Sequence, residues 1–307
     1  MEAFFKNKSI IDMINRWKTH LILITVLSAA IGTFISSPII MTPKFKSTAI
    51  VYPVNIYAYS KESTTEQMLQ VFNSNDIKEK MLTAFNLADH YKLDKKEPQF
   101  YTYFLAEYND NVSISKTEFE SVEIKVLDTD PKTASKMVDS LITFYDGKTA
   151  EMHRKKQKEV IVISTNQFKI KNRELDSLEK LLGNIRQTYG IMNYSTQVTE
   201  ATKGELSGNA AAKELFKKLQ DHGVEYQRTD SLLTHIRREY LTNKFNLETA
   251  EKEFNKKISY SQIVSSPYPA DKKSYPVRWA VVAITVITSL IFSLIVIAFI
   301  DSKRKKA

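Results

Sequence analysis

The sequence predicts an α+β membrane protein: two transmembrane helices near the chain ends, an α/β base between them, and a long helical, coiled-coil-like hairpin arm. Three observations predict it. Two uncharged apolar runs lie near the ends of the 307 residues. Short alternating segments carry strand and helix-cap signals after the first run. A charged stretch before the second run repeats apolar residues every seven positions.

Leu21–Ile40 holds twenty residues without a charge, and Trp279–Ile300 holds twenty-two. At ~1.5 Å rise per residue each reaches across a hydrocarbon core of ~30 Å. A soluble core helix has no use for an all-round apolar surface of that length. A cleaved signal peptide is the alternative for the first run. It fits poorly, because a secretory apolar region usually has ~7–15 residues and lies closer to the N-terminus.

The flanking cations set the expected orientation. Lys6, Lys8, Arg16 and Lys18 precede the first run, and Lys303, Arg304, Lys305 and Lys306 follow the second. The positive-inside rule then puts both termini in the cytoplasm. Lys272, Lys273 and Arg278 point weakly the other way, but cations of a long loop weigh less in the rule. Net charge is +9, and the eight flanking cations less Glu2, Asp12 and Asp301 supply +5 of it. The intervening domain is only mildly basic, which gives no support to nucleic-acid binding. Cysteine is absent, so disulfides and thiol chemistry are excluded.

Before the first run, Ile10, Ile11, Ile14 and Trp17 recur at helical spacing. They predict an interfacial turn anchored by Trp17, or a plain continuation of the membrane helix. After it, Lys44–Val54 is rich in β-branched and aromatic residues and predicts a strand, with Pro53 at an edge or bulge. Ser63 and Glu66 form a capping box. Ile77, Met81, Leu82 and Phe85 predict a helix over 76–89, and a further helix begins near Pro98. "NVSIS" from Asn111 and "SVEIKVLD" from Ser121 alternate as strands. Asp130 is a good N-cap and Pro131 a good first helical residue. Ala134, Met137, Val138, Leu141, Ile142 and Tyr145 then form one apolar stripe.

From Lys148 the chain turns charged. Phe168, Leu175, Leu182 and Tyr189 recur every seven residues, with Leu178 and Ile185 on the alternate seam. Gly190, Gly204 and Gly208 predict a break, and a second long helix is expected over 210–258. Its seam is Leu219, Tyr226, Leu233, Tyr240, Leu247 and Phe254. The second rail is mixed: Leu215, Ile236 and Ala250 are apolar, whereas His222, Thr229, Asn243 and Lys257 are not. That is no autonomous zipper. It fits either packing against the partner helix and neighbouring subunits or a solvated hairpin with ordinary core contacts. "ISYSQIVSSP" from Ile258 predicts a returning strand. Pro267, Pro269 and Pro276 follow it and predict a semi-rigid extended link into the second membrane helix.

The expected organisation is an N-terminal flank (1–20), transmembrane helix (21–41), base (42–147), arm (148–257), returning strand and Pro-rich strip (258–278), transmembrane helix (279–300) and tail (301–307). Small residues at four-residue steps, Ser28, Gly32 and Ser36 on the first span and Thr285, Ser289 and Ser293 on the second, predict faces that pack closely within or between subunits. The residues offer no catalytic, cofactor or metal motif. His20, His90, His153, His222 and His235 show no paired ligand spacing, and Asp128 and Asp130 read as turn and cap residues.

This ordered set resembles the polysaccharide co-polymerase family, the Wzz-type chain-length determinants. The residues that carry the likeness are "IIDMINRWKTHLILI", the strand after the first span, "DTDPKTASKMVDSLITFY", the coiled arm and the Pro-rich strip. The resemblance matches Pro267, Pro269, Pro276 and Arg278 to the family's strip, although Ala270–Tyr275 interrupt its spacing. It implies an inner-membrane protein with its bulk in the periplasm, an α/β base and a projecting helical hairpin. It also implies a homo-oligomeric ring that regulates O-antigen, capsule or exopolysaccharide chain length without catalysis. The implied partners are the polysaccharide polymerase and a lipid-linked glycan. With seven residues after the second span and no phosphate-binding loop, the chain is expected to be a kinase-free member, which leaves room for a separate cytoplasmic tyrosine kinase as partner. The competing expectations are an export adaptor reaching an outer-membrane conduit and a two-span periplasmic sensor.

Overall fold

The structure, a computed structural model, describes residues 7–56 and 61–304, with side chains described at 13–56 and 61–300. Lys6, Lys8, Ile10, Ile11, Lys303, Arg304, Lys305 and Lys306, which carry the charge and anchor expectations of the two flanks, lie outside the described side chains. The chain divides into two units, one formed by 1–149 with 259–307 and the other by 150–258.

In the first unit, α1 (Asn7–Ile35) is one unbroken helix, so the segment before the apolar run continues the membrane helix. It ends before Ile40, where the apolar run ends. Residues 36–41 form turns, with the Ser36 N–H on the Gly32 carbonyl and the Ile40 N–H on the Ser37 carbonyl. Pro38 explains this: it disfavours helix at Ser37, and its own missing N–H cannot continue the ladder. The opposite span is α9 (Arg278–Arg304). Met13–Ile35 and Arg278–Ile300 are both long and apolar enough to cross a membrane.

β1 (Lys44–Pro53) follows α1 and is the centre of an antiparallel sheet. It pairs with β3 (Val122–Asp128), which also pairs with β2 (Val112–Lys116). Ala49 and Val51 on β1 and Val122, Ile124 and Val126 on β3 are fully buried. The alternation read in the sequence is therefore one covered sheet face. α2 (Thr64–Phe72) and α5 (Phe100–Asn111) pack against its strands, and α3 (Asn75–Ala84) and the start of α6 (Pro131–Tyr189) add further buried residues to the same unit. Their buried residues include Met68, Phe72, Ile77, Met81, Phe104, Met137, Leu141 and Tyr145. The Phe72 and Tyr145 rings stack at 4.5 Å between centroids.

Both expected caps form. Ser63 and Glu66 make a reciprocal capping box on α2. The Asp130 carboxylate accepts from the Thr133 N–H at 3.0 Å and the Thr133 hydroxyl at 2.7 Å. These bonds hold its pKa below the ordinary aspartate value. The helix expected over 76–89 is split instead. α3 stops at Ala84, Asn86 takes a left-handed backbone (φ 44°), and α4 (Leu87–His90) restarts the turn. An Asn side chain tolerates that conformation better than most residues.

The second unit contains the remainder of α6, which crosses the expected boundary at Lys148 without a break, then α7 (Tyr194–Leu206) and α8 (Ala210–Asn255). The stretch expected to be a glycine-marked break is thus a third helix. Gly190 (φ 71°) and Gly208 (φ 84°) supply the left-handed positions at its two flanking turns.

The returning strand is shorter than expected. β4 (Ser261–Ser265) pairs with β1 over Ile50–Pro53. Asp146 on α6 fixes its start, its Oδ1 accepting from the Tyr260 N–H at 3.0 Å. A further strand not foreseen in the sequence, β5 (Lys273–Tyr275), pairs with β1 at Lys44 and Phe45.

Candidate functional surfaces

Three regions contain the residues singled out in the sequence. The first is the pair of membrane helices, α1 and α9, which pack on each other. Gly32 sits at their contact: a Cβ there would lie 3.1 Å from the Val282 Cα and 3.2 Å from the Thr285 Oγ1. Ser28, Ser36 and Ser293 are buried, and Thr285 and Ser289 are half-buried. Each hydroxyl bonds its own helix, as Ser28 to the Thr25 carbonyl and Ser289 to the Val286 carbonyl. The polar atoms are thereby satisfied internally, and the small side chains allow close approach. Ile22, Leu23, Val26 and Phe34 on α1, with Ile284, Ile291 and Phe299 on α9, are exposed. That is the arrangement for a helix pair surrounded by lipid.

The second region is the Pro-rich strip. It is not a free link. β5 within it is hydrogen-bonded to the first residues of β1, and the Ser47 hydroxyl donates to the Tyr268 carbonyl at 3.1 Å. Pro276 is buried, Pro267 half-buried and Pro269 exposed, and Arg278 is the exposed first residue of α9. Pro276 lies outside β5, and the exposed Pro269 also lies outside the strands, so neither removes a ladder donor. Pairing of β1 with β5 therefore joins the exit of α1 to the entry of α9.

Beside it lies a polar cluster at the sheet end. The Asp128 Oδ2 lies 2.6 Å from the His90 Nε2, and its Oδ1 accepts from the Asp130 N–H at 2.8 Å. The Lys44 Nζ donates to the Asn111 Oδ1 at 2.6 Å. Burial, then the nearby Asp128 charge, pushes the Tyr91 hydroxyl well above its ordinary pKa. His90 and Asp128 thus have a structural partnership that neither showed in the sequence, because 38 residues separate them.

The third region is the helical unit. Its core gathers Leu182 and Ile185 from α6, Ile191 from the turn, Ala201 from α7, and Leu219, Tyr226 and Leu233 from α8. Tyr240, Leu247 and Phe254 are only half-buried, so the seam is tight at the α7 end and loose below it. In the loose part polar pairs hold the helices: Lys171 to Glu239 at 2.9 Å and Arg237 to Glu179 at 2.8 Å, with the Phe168 and Tyr240 rings 5.2 Å apart.

The tight end is built around Tyr226. Its hydroxyl donates to the Met192 carbonyl at 2.6 Å and accepts from the Arg186 guanidinium at 3.3 Å. Gln197 accepts from the N–H groups of Met192 and Asn193 and donates to the Gly190 carbonyl. Gly223 is the close approach: a Cβ there would be 1.9 Å from the Tyr194 ring. A groove of about 600 Å³ opens beside these groups, lined by Asn193, Tyr194, Val224, Gln227, Arg228 and Asp230.

The histidines are dispersed. His222 stacks on Tyr189 at 3.6 Å, His235 lies 3.1 Å from Glu239, and His20 lies against Trp17. Burial lowers the pKa of His153. Among the described residues no three His, Cys, Asp or Glu side chains are grouped to hold a metal ion.

No protein-family model and no curated protein matches the chain. Among solved structures it is similar to a full-length bacterial polysaccharide co-polymerase, with 13% identity and a TM-score of 0.48 over 96% of this chain and 97% of that one. It is also similar to a fragment of WzzB, polysaccharide co-polymerase from Salmonella Typhimurium, with 14% identity and a TM-score of 0.32 over 76% of this chain and 100% of that one. A third is the wild-type Shigella flexneri lipopolysaccharide O-antigen chain-length regulator WzzBSF, with 14% identity and a TM-score of 0.35 over 75% of this chain and 100% of that one. These similarities are to the family that the sequence resembles.

Proposed function

We propose that the chain is a non-catalytic scaffold of the polysaccharide co-polymerase kind, held in the bacterial inner membrane and setting the length of a surface glycan. The observation that carries this reading is the order of elements. An apolar helix, a central strand, a helix-covered sheet, a long helical hairpin, a returning strand, a Pro-containing strip and a second apolar helix succeed one another. It is the order by which the sequence resembles that family. Both termini lie in the cytoplasm and the intervening residues in the periplasm, as the flanking cations favour. Copies assemble into a ring that engages the polymerase or the lipid-linked glycan. Chain termination then depends on geometry and residence time, with no reaction at this chain.

A deletion strain tests the reading. The modal length of the surface glycan shifts while its repeat-unit chemistry stays the same, as resolved by gel electrophoresis and sugar analysis. An unaltered length distribution contradicts it.

A further inference from the structure

The cations that oppose the positive-inside rule gather in one place. Pairing of β1 with β5 sets Lys273 opposite Phe45 and Tyr275 opposite Lys44. Partners across an antiparallel ladder are ~5 Å apart at Cα, so Lys44, Lys46, Lys272 and Lys273 share one end of the sheet. Arg278 follows at the first position of α9. More than 220 residues separate the two groups along the chain, and only the fold brings them together.

Among the described residues no carboxylate is ion-paired with Lys44, Lys46, Lys272, Lys273 or Arg278. Lys46, Lys272 and Arg278 are exposed and Lys273 is half-buried. Lys44 has only the neutral Asn111 amide. Asp128, opposite Phe45, is engaged by His90 and the Asp130 N–H. Asp271 is the one acidic residue in 266–278, and 42–48 contain none. Within these two segments five cations therefore stand against one carboxylate, Asp271, and like charges held together cost free energy that an anion offsets.

The neighbouring side chain narrows the class of anion to one at a membrane surface. Trp279 is 76% exposed beside Arg278, where an aromatic ring marks the boundary between hydrocarbon and headgroups. Resting on the membrane topology proposed above, we infer that this basic collar binds the diphosphate of a polyprenyl lipid at the outer face of the membrane. A diphosphate concentrates at least two negative charges in one group, whereas the phosphate of an ordinary anionic phospholipid carries one.

The test uses the full chain in neutral detergent. Trp17 and Trp279 are its two tryptophans, so Trp17→Phe makes Trp279 the sole reporter. Farnesyl diphosphate should change Trp279 emission saturably, with half-saturation at least tenfold below that of a short-chain phosphatidylglycerol. Farnesol and inorganic pyrophosphate should bind more weakly than farnesyl diphosphate. Lys272→Gln/Lys273→Gln/Arg278→Gln should weaken binding tenfold or more, and Lys80→Gln on α3 should not. If the triple variant loses its helical circular dichroism, the exposed pair Lys46→Gln/Lys272→Gln carries the test, with threefold or greater weakening expected. Equal affinity for phosphatidylglycerol, or undiminished binding by the folded variants, overturns the inference. Glycan length unchanged in the deletion strain, with diphosphate binding intact, refutes the chain-length function alone.

Discussion

Single residues decide how closely the helices approach. Gly223 on α8 makes room for the Tyr194 ring of α7, so a methyl at Gly223 meets ring carbon at 1.9 Å. Gly223→Ala should destabilise the α7 end by about 1–3 kcal/mol, the usual cost of overpacking. Thermal unfolding of the full chain in detergent measures it, and Tyr194→Ala in the same chain should remove most of the added cost. Asp146 is set by a different balance. Burial raises its pKa, and bonds from the Ser261 side chain, the Tyr260 N–H and the Ser261 N–H pull it partly back. A raised carboxyl pKa makes the folded state lose stability as pH rises from the unfolded value, ~3.9, through the folded one. Asp146→Asn keeps an acceptor without the charge. At pH 7 it should match or exceed the parent in melting temperature, an advantage that shrinks towards pH 3. Asp146→Ala strands the Tyr260 donor and should cost about 1–3 kcal/mol.

The elements divide into those the sequence declares and those it conceals. The second apolar run, the Ser63–Glu66 box, the Asp130–Pro131 start and the alternation of Val122, Ile124 and Val126 are local signals, and each takes the expected helix, cap or strand form. Other features depend on distant partners. β5 has three residues between lysines and prolines, and only the edge of β1 makes it a strand. α7 hides because glycine normally punctuates helices. Gly204 is there because a Cβ would lie 2.5 Å from the Ala212 Cβ on α8. The end of α1 at Ile35 escaped a hydropathy reading because Pro38 is uncharged. Of the six seam residues, Leu219, Tyr226 and Leu233 share a core because α7 covers them, and Tyr240, Leu247 and Phe254 have no such third helix. This difference is measurable. Leu182→Ala empties a site that is 2% exposed and should cost about 2–5 kcal/mol. Leu247→Ala should cost less. Tyr226→Phe should raise amide hydrogen exchange over 190–206 by releasing Met192 and Arg186, while exchange in β1 and β3 stays unchanged.

At the scale of the molecule, the two ends of the chain are joined twice: by α1 packing on α9 in the apolar layer, and by β1 pairing with β5 beside it. Gly32→Leu should disturb the first junction, since the new side chain meets the Val282 backbone at 3.1 Å. Lower thermal stability and weaker oligomers in detergent are expected, and unchanged melting and assembly would remove this role for Gly32. In the proposed function the two spans, with the flanking cations on the inner side, hold the intervening residues outside the cytoplasm. Absence of native cysteine makes it directly testable. In intact cells with a permeabilised outer membrane, Lys180→Cys should react with a membrane-impermeant maleimide, and Arg16→Cys should react only after lysis. Protection of Lys180→Cys until lysis would contradict the account.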